Sequence, residues 1–170
     1  LQEEHHSFIS RIGTSLHSID DLSKFLRNTT LQTSARNQFR GQIRKIVKGA
    51  VNTEVELQLG ESSKIVATVT NQSAKQMGLK KGRHAVALVK SSWIILSTDK
   101  DVSTSARNKL AGTVEKITQG KVNTEIQLNL GEEKNLSCIL TNESVKSLRL
   151  KKQQKAYALF KASSVILMEG

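Results

Sequence analysis

The sequence predicts a mainly β protein: two tandem OB-like five-stranded barrels, each with one short helix, preceded by an α-helical segment. Three observations predict this. The chain repeats itself once, apolar and polar residues alternate within each copy, and glycines punctuate the alternating runs. The repeat has an offset of 71: Ser34-Ala35-Arg36-Asn37 returns as Ser105-Ala106-Arg107-Asn108, and Asn52-Thr53-Glu54 as Asn123-Thr124-Glu125. Without a gap, about 30 of the 64 positions from Ser34 to Ser97 are identical in the second copy, far above chance.

The elements follow in order. Residues 1–30 form a helical segment, because Phe8, Ile9, Ile12, Leu16 and Ile19 recur at three- and four-residue steps. Ser18 and Asp20 can cap a second short helix through Leu22, Phe25 and Leu26. The first module spans 31–98, the polar linker 99–104 and the second module 105–170. Gln38 to Val47 is a strand candidate. Val51, Thr53, Val55, Leu57 and Leu59 alternate with polar residues, the period of a half-buried strand, and Ile126, Leu128 and Leu130 repeat it. Ile65, Ala67 and Val69 mark another strand, His84 to Lys90 a further one, and Trp93 to Leu96 a short apolar run. Between them Thr70 to Met77 reads as one or two helical turns, capped by Thr70 or Asn71 and closed by Gly78. About five short strands and one helix in a module of this length suit a small barrel. Two in tandem can share a sheet edge and hide strands that would otherwise pair promiscuously.

Composition narrows the function. Of 170 residues, 37% are hydrophobic and 24% charged, the balance of a folded chain. Lys and Arg number 26 against 15 Asp and Glu, a net charge of +11, which selects anionic partners and disfavours cationic ones. By segment the charge is −1 over 1–30, +8 over 31–100 and +4 over 101–170, so the basic character belongs to the modules. One cysteine, Cys138, excludes an internal disulfide and fits a reducing, cytoplasmic setting. No apolar run approaches the roughly 18 residues of a membrane helix, and no signal peptide is recognised. The start at Leu1 leads us to expect a fragment of a longer chain.

Catalytic and metal signatures are missing. The histidines are His5, His6, His17 and His84; the adjacent pair points to different sides of a helix, and neither has a partner four residues away. Cys138 occupies the place of Ala67 on the inward side of its strand, where a buried, inert thiol is expected. No GxSxG, HExxH or Walker-type loop occurs, and the acidic residues form no acid–base pair. We therefore expect no enzyme and no protein-ligated metal cation.

The two copies share many polar residues, which duplication of a core alone would not require. Ser34, Arg36, Asn37, Thr70, Asn71, Ser73 and Lys90 recur as Ser105, Arg107, Asn108, Thr141, Asn142, Ser144 and Lys161. All can donate hydrogen bonds. Thr70 to Ser73 begins a helix, where unpaired N–H groups and the positive end of the dipole favour an anion, and Arg36 or Lys90 would add charge. A set made of donors favours a fully ionised tetrahedral oxyanion and penalises one that carries a proton. The bland alternative is that Ser34 and Thr70 are caps and that Arg36 and Lys90 are solvated.

At this point the residues resemble a known family. Ser-Ala-Arg-Asn before a strand with Gly41, then Asn52-Thr53-Glu54, Thr70-Asn71-x-Ser73, Leu79-Lys80-Lys81-Gly82 and Lys90-Ser91-Ser92 look like the Mop module, the TOBE or molybdate-binding domain. The resemblance covers both modules, about three quarters of the chain, as a di-Mop pair. The helical tail running into Leu31-Gln32-Thr33 resembles the junction in ModE-family molybdate-responsive transcriptional regulators, where a winged-helix DNA-binding and dimerisation domain precedes two Mop modules. The resemblance implies molybdate as effector ligand, with tungstate as its mimic, bound between the chains of a homodimer. Ser34, Arg36, Lys90 and Ser91 of one chain would face Thr70 and Ser73 of the other, and backbone N–H groups at Ser91 and around Asn71 would complete the cage. DNA would be reached only through an N-terminal domain outside this chain. Ser105, Arg107, Thr141, Ser144, Lys161 and Ala162 are the second-module equivalents. The sequence departs from the family at Gln76, where a further arginine is expected, and at Ala162, which replaces Ser91; it keeps the second SARN, which regulators often lose.

The leading expectation is thus the molybdate-sensing region of a regulator of molybdate uptake genes. A storage or buffering protein of the molbindin type is the alternative, and the leading helix argues against it. The accessory domain of a molybdate-transporter ATPase would follow an ATPase tail not recognised here. A nucleic-acid-binding OB protein is favoured by the charge but would stack bases on exposed aromatics, and Trp93 becomes Ser164 in the second copy.

Overall fold

The computed structural model describes residues 32–170, so the helical segment expected over 1–30 lies outside the described residues. The described chain is mainly β. The first repeat supplies β1 (Asn37–Lys48), β2 (Asn52–Gln58), β3 (Lys64–Thr70), helix α1 (Asn71–Gln76), β4 (His84–Val89), a 3₁₀ turn (Ser91–Trp93) and β5 (Ile95–Ser97). The second supplies β6 (Asn108–Gln119), β7 (Asn123–Gly131), β8 (Lys134–Thr141), helix α2 (Asn142–Ser147), β9 (Lys155–Phe160), a 3₁₀ turn (Ala162–Ser164) and β10 (Ile166–Glu169).

These strands make two five-stranded antiparallel sheets, in the orders β10-β4-β1-β2-β3 and β5-β9-β6-β7-β8. The last strand of each repeat belongs to the sheet of the other. Ile166 to Glu169 pairs with β4, and Ile95 to Ser97 pairs with β9. The exchange interlocks the repeats and covers two edges that would otherwise be open.

Period-2 alternation makes the strands. In β2, Val55 and Leu57 are fully buried, and in β3 Ile65 and Ala67 are as well. They join Ile126, Leu128, Leu136 and Cys138 of the second repeat in one continuous apolar cluster. Burying a side chain of this size stabilises by about 1.5–3 kcal/mol, so this cluster is the principal cohesive term. The alternating run begins one residue later than the sequence suggests: Val51 is 73% exposed on the turn before β2. Trp93, placed in a short apolar run by sequence, sits half-exposed on the 3₁₀ turn, and Ile94 and Leu96 take the buried places. Each long first strand bends at a bulge, between Ile43 and Lys45 in β1 and between Val114 and Lys116 in β6. Gly41 lies beside the bulge because a Cβ there would meet the Gln58 carbonyl oxygen at 2.6 Å.

Candidate functional site

The SARN segment of the first repeat leads into β1, and its residues split between two tasks. Asn37 is 2% exposed. Its Nδ2 donates to the Val89 carbonyl at 3.1 Å and to the Ser137 carbonyl at 2.7 Å, while its Oδ1 accepts from the Ser137 N–H at 2.7 Å. It is a buried staple between the repeats. Asn108 does the same from the other side, exchanging bonds of 2.7 and 2.8 Å with the Val66 N–H and carbonyl. Ser34 and Arg36 stay exposed. Arg36 points across to the second repeat, where its Nη1 meets Glu125 Oε1 at 2.6 Å.

Strand pairing puts the basic turn beside them. Asn37 faces Val89, so Lys90 and Ser91 follow directly from the strand neighbour of SARN. Lys90 is exposed, with its Nζ 5.9 Å from the centroid of the Trp93 ring. Ser91 is buried and opens the 3₁₀ turn, which packs against β8. Ser34, Arg36, Lys90 and Ser91 therefore share one end of the first repeat.

Thr70, Asn71 and Ser73 sit elsewhere. The Thr70 side chain caps α1, accepting from the Ser73 N–H at 3.1 Å, and its hydroxyl donates to Ser73 Oγ at 2.8 Å. That direction leaves the Ser73 hydroxyl proton to be donated elsewhere. Asn71 is committed to the fold. Its Nδ2 donates to the carbonyls of Gly49 and Ala50, its Oδ1 accepts from Thr53 at 2.7 Å, and its N–H bonds the Val51 carbonyl. This latch holds the β1–β2 turn under the helix. Thr70 pairs with Asn52, near the Lys48 end of β1, whereas Arg36 precedes its Asn37 end. At about 3.3 Å per residue, the two groups lie on the order of 30 Å apart along that strand.

The second repeat copies the arrangement. Thr141 caps α2 on Ser144, and Asn142 makes the same latch with Thr124 and the Gly120 and Lys121 carbonyls. Arg107 pairs with Glu54 through both carboxylate oxygens, at 3.0 and 2.9 Å. Ser105 and Lys161 line a cavity of about 300 Å³ together with Trp93, Ile95 and Phe160, and the neighbouring Ala162 is buried.

The electrostatics follow from these contacts. The Ser137 hydroxyl donates to Glu125 Oε1 at 2.6 Å and, with Arg36, holds this carboxyl below its ordinary value. Burial, seconded by the charge of Glu125, pushes the Cys138 thiol up to about 12, so it stays protonated and inert. Among the described residues no group of three His, Cys, Asp or Glu could hold a metal ion, and no helix is long and apolar enough to cross a membrane. The exposed hydroxyls and cations can donate to a dense anion.

Sequence reasoning left three structural roles unassigned: the staples Asn37 and Asn108, the latches built on Thr53 and Thr124, and the carboxylates Glu54 and Glu125 that hold the arginines. Each is identical in both copies, which was the available signal.

Comparison with known proteins matches the TOBE domain over residues 33–96 and again over 104–167. The chain is 38% identical over 168 residues to the molybdenum transport protein ModE of Herbaspirillum seropedicae, covering 98% of this chain and 62% of that protein. It is 43% identical over 143 residues to the molybdenum-pterin-binding protein MopA of Rhodobacter capsulatus, covering 84% of this chain and 54% of that one. It thus spans less than two thirds of either curated relative. A crystal structure of the cytoplasmic molybdate-binding protein ModG with molybdate bound superposes with a TM-score of 0.79 at 42% identity, over 82% of this chain and 100% of that chain.

Proposed function

The chain belongs to the TOBE domain family, of which it carries two copies, and on that premise we propose that it is a cytoplasmic molybdate-binding protein whose oxyanion sits at a homodimer interface. We further propose that it is the sensor region of a transcriptional regulator of molybdate uptake genes. The single observation that carries the interface is the separation within one repeat. Ser34, Arg36, Lys90 and Ser91 cluster at one end of β1, and Thr70 and Ser73 at the other. One anion a few ångströms across cannot touch both sets from the same repeat. The missing half comes from elsewhere: from the other repeat of the same chain, whose Asn123–Thr141 pair lies two residues from the Glu125 that Arg36 reaches, or, as we propose, from a second chain.

The chemistry favours a dianion without a proton. Ser34 and Ser73 donate hydroxyl hydrogens, Ser91 a backbone N–H, and Arg36 and Lys90 fixed charge, while the Thr70 hydroxyl orients that of Ser73. Tungstate, with the same charge and shape, fits the same set. An anion held by both chains stabilises one arrangement of them, and only that differential affinity can alter DNA binding. DNA contact would come through an N-terminal domain outside this chain, as the likeness to ModE proteins suggests.

A mixing experiment tests the shared site. Arg36→Ala and Ser73→Ala each lose the first-repeat molybdate sites in calorimetry. Mixed in equal amounts they form heterodimers with one intact site, so binding returns to part of the molecules. No recovery on mixing contradicts a site shared between chains.

A storage or buffering role is the second reading. It is favoured by ModG, whose whole chain is matched by the two repeats. Binding of the full-length protein to an uptake-gene operator, altered by molybdate, supports the regulator; molybdate binding with no DNA affinity supports storage.

A further inference from the structure

We propose that Glu54 and Glu125 are built-in competitors of the oxyanion, each occupying the site arginine of the other repeat, and that Glu54 holds Arg107 the more completely. The inference rests on the oxyanion reading above. Arg36 and Arg107 are exposed, yet neither faces solvent alone. Each reaches across to a carboxylate that occupies the same place in the other copy, Glu125 for Arg36 and Glu54 for Arg107. A carboxylate on a guanidinium satisfies the N–H groups that an oxyanion would use.

The two clamps differ. Arg107 spends two nitrogens on Glu54, Nη2 to Oε1 at 3.0 Å and Nη1 to Oε2 at 2.9 Å, which is the forked pairing. Arg36 spends one, Nη1 to Glu125 Oε1 at 2.6 Å, and that oxygen is shared with the Ser137 hydroxyl. The difference has a sequence cause. The position of Ser137 is Val66 in the first repeat, so Glu54 has no hydroxyl to draw it away and turns both oxygens to arginine. An oxyanion can therefore take the remaining N–H groups of Arg36 beside Glu125, but must displace Glu54 to take the fork of Arg107. The first-repeat site fills first. Site occupancy in one repeat is thus set by a residue of the other.

A retained carboxylate also repels a bound dianion across the guanidinium, at about 7 Å. That energy is linear in ligand charge, so it separates a charge effect from a structural one. Molybdate and perrhenate are both tetrahedral oxyanions, carrying two charges and one. Calorimetry of the whole chain with each anion, comparing wild type, Glu54→Gln and Glu125→Gln, reads it directly. Glutamine keeps the side-chain size and an acceptor for the arginine. The expected result is a gain of about tenfold for molybdate and about threefold for perrhenate in Glu125→Gln, whose carboxylate stays beside the bound anion, and a similar gain for both anions in Glu54→Gln, whose fork must be displaced whatever the ligand charge. If one variant fails to fold, the other carries the test, because the two clamps lie on different strands. Unchanged or weaker affinity in both variants, or equal gains for the two anions in Glu125→Gln, overturns the proposal while leaving the oxyanion site standing. Absence of heat with either anion in the wild type overturns the oxyanion reading, and this proposal with it.

Discussion

Replacing Asn37 with alanine removes three hydrogen bonds, two of which join the repeats. The side chain is 2% exposed, donates to two carbonyls and accepts from one N–H. Each such bond stabilises by about 1 kcal/mol net, which gives about 3 kcal/mol. The vacated space leaves the Ser137 N–H and carbonyl short of a partner, and an unpaired group in a poorly hydrated place adds about 1–2 kcal/mol more. The expected loss is therefore about 3–5 kcal/mol, a large share of the stability of an ordinary domain. Urea unfolding followed by far-ultraviolet circular dichroism measures it, with the midpoint falling while the slope is kept. Asn37→Asp is a control: it keeps the acceptor, loses both donor bonds and adds a charge beside two carbonyls, so it loses at least as much. A loss under about 1 kcal/mol in the alanine variant would refute the view that this residue staples the repeats, and with it the division of SARN into a structural asparagine and ligand-binding neighbours.

Two further predictions concern stability alone. Glu125 has its folded-state pKa lowered, by the Ser137 hydroxyl first and Arg36 second, so its contribution is present above the ordinary 4.5 and lost as pH falls through the lower folded value. Stability of the wild type should therefore drop across that acid window more steeply than that of Glu125→Gln, as read from urea midpoints at successive pH; parallel curves would contradict the assignment. Arg149 closes α2 at a φ of 51°, where the first repeat has Gly78 at 54°. Arg149→Gly relieves left-handed strain and should raise stability by about 1 kcal/mol in the same assay, and a fall would show that the strain is compensated.

How much of this was legible in the sequence differs by level. The alternation of Val55 and Leu57, and of Ile65 and Ala67, reports directly which faces are buried, because strand side chains must alternate. Thr70 capping a helix that ends before Gly78 follows from local hydrogen bonding and was equally readable. The exchange of β5 and β10 was not. A period-2 pattern states which face of Ile95 to Ser97 is buried but not which strand it joins. The same reason hid Asn37 and Glu125: their partners Ser137 and Arg36 lie 100 and 89 residues away in the chain. Their identity in both copies marked them as important without saying for what. The donors Ser34, Arg36 and Lys90 stood out by type, and the strand pairing of Asn37 with Val89 supplies the reason they share one place.

The central claim is that this place binds molybdate. Trp93 is the sole tryptophan, half-exposed, with Lys90 Nζ 5.9 Å from its ring centroid. Its fluorescence, followed during titration with molybdate and with sulfate and phosphate as controls, therefore reports on an anion at Lys90 or in the cavity that Trp93 shares with Ser105 and Lys161. The account predicts a saturable change at micromolar molybdate, absent with sulfate and phosphate and reduced to the second-repeat component in Arg36→Ala. No change with molybdate, together with no heat in calorimetry, would contradict it and leave the repeated hydroxyls and cations as structural and solvated groups.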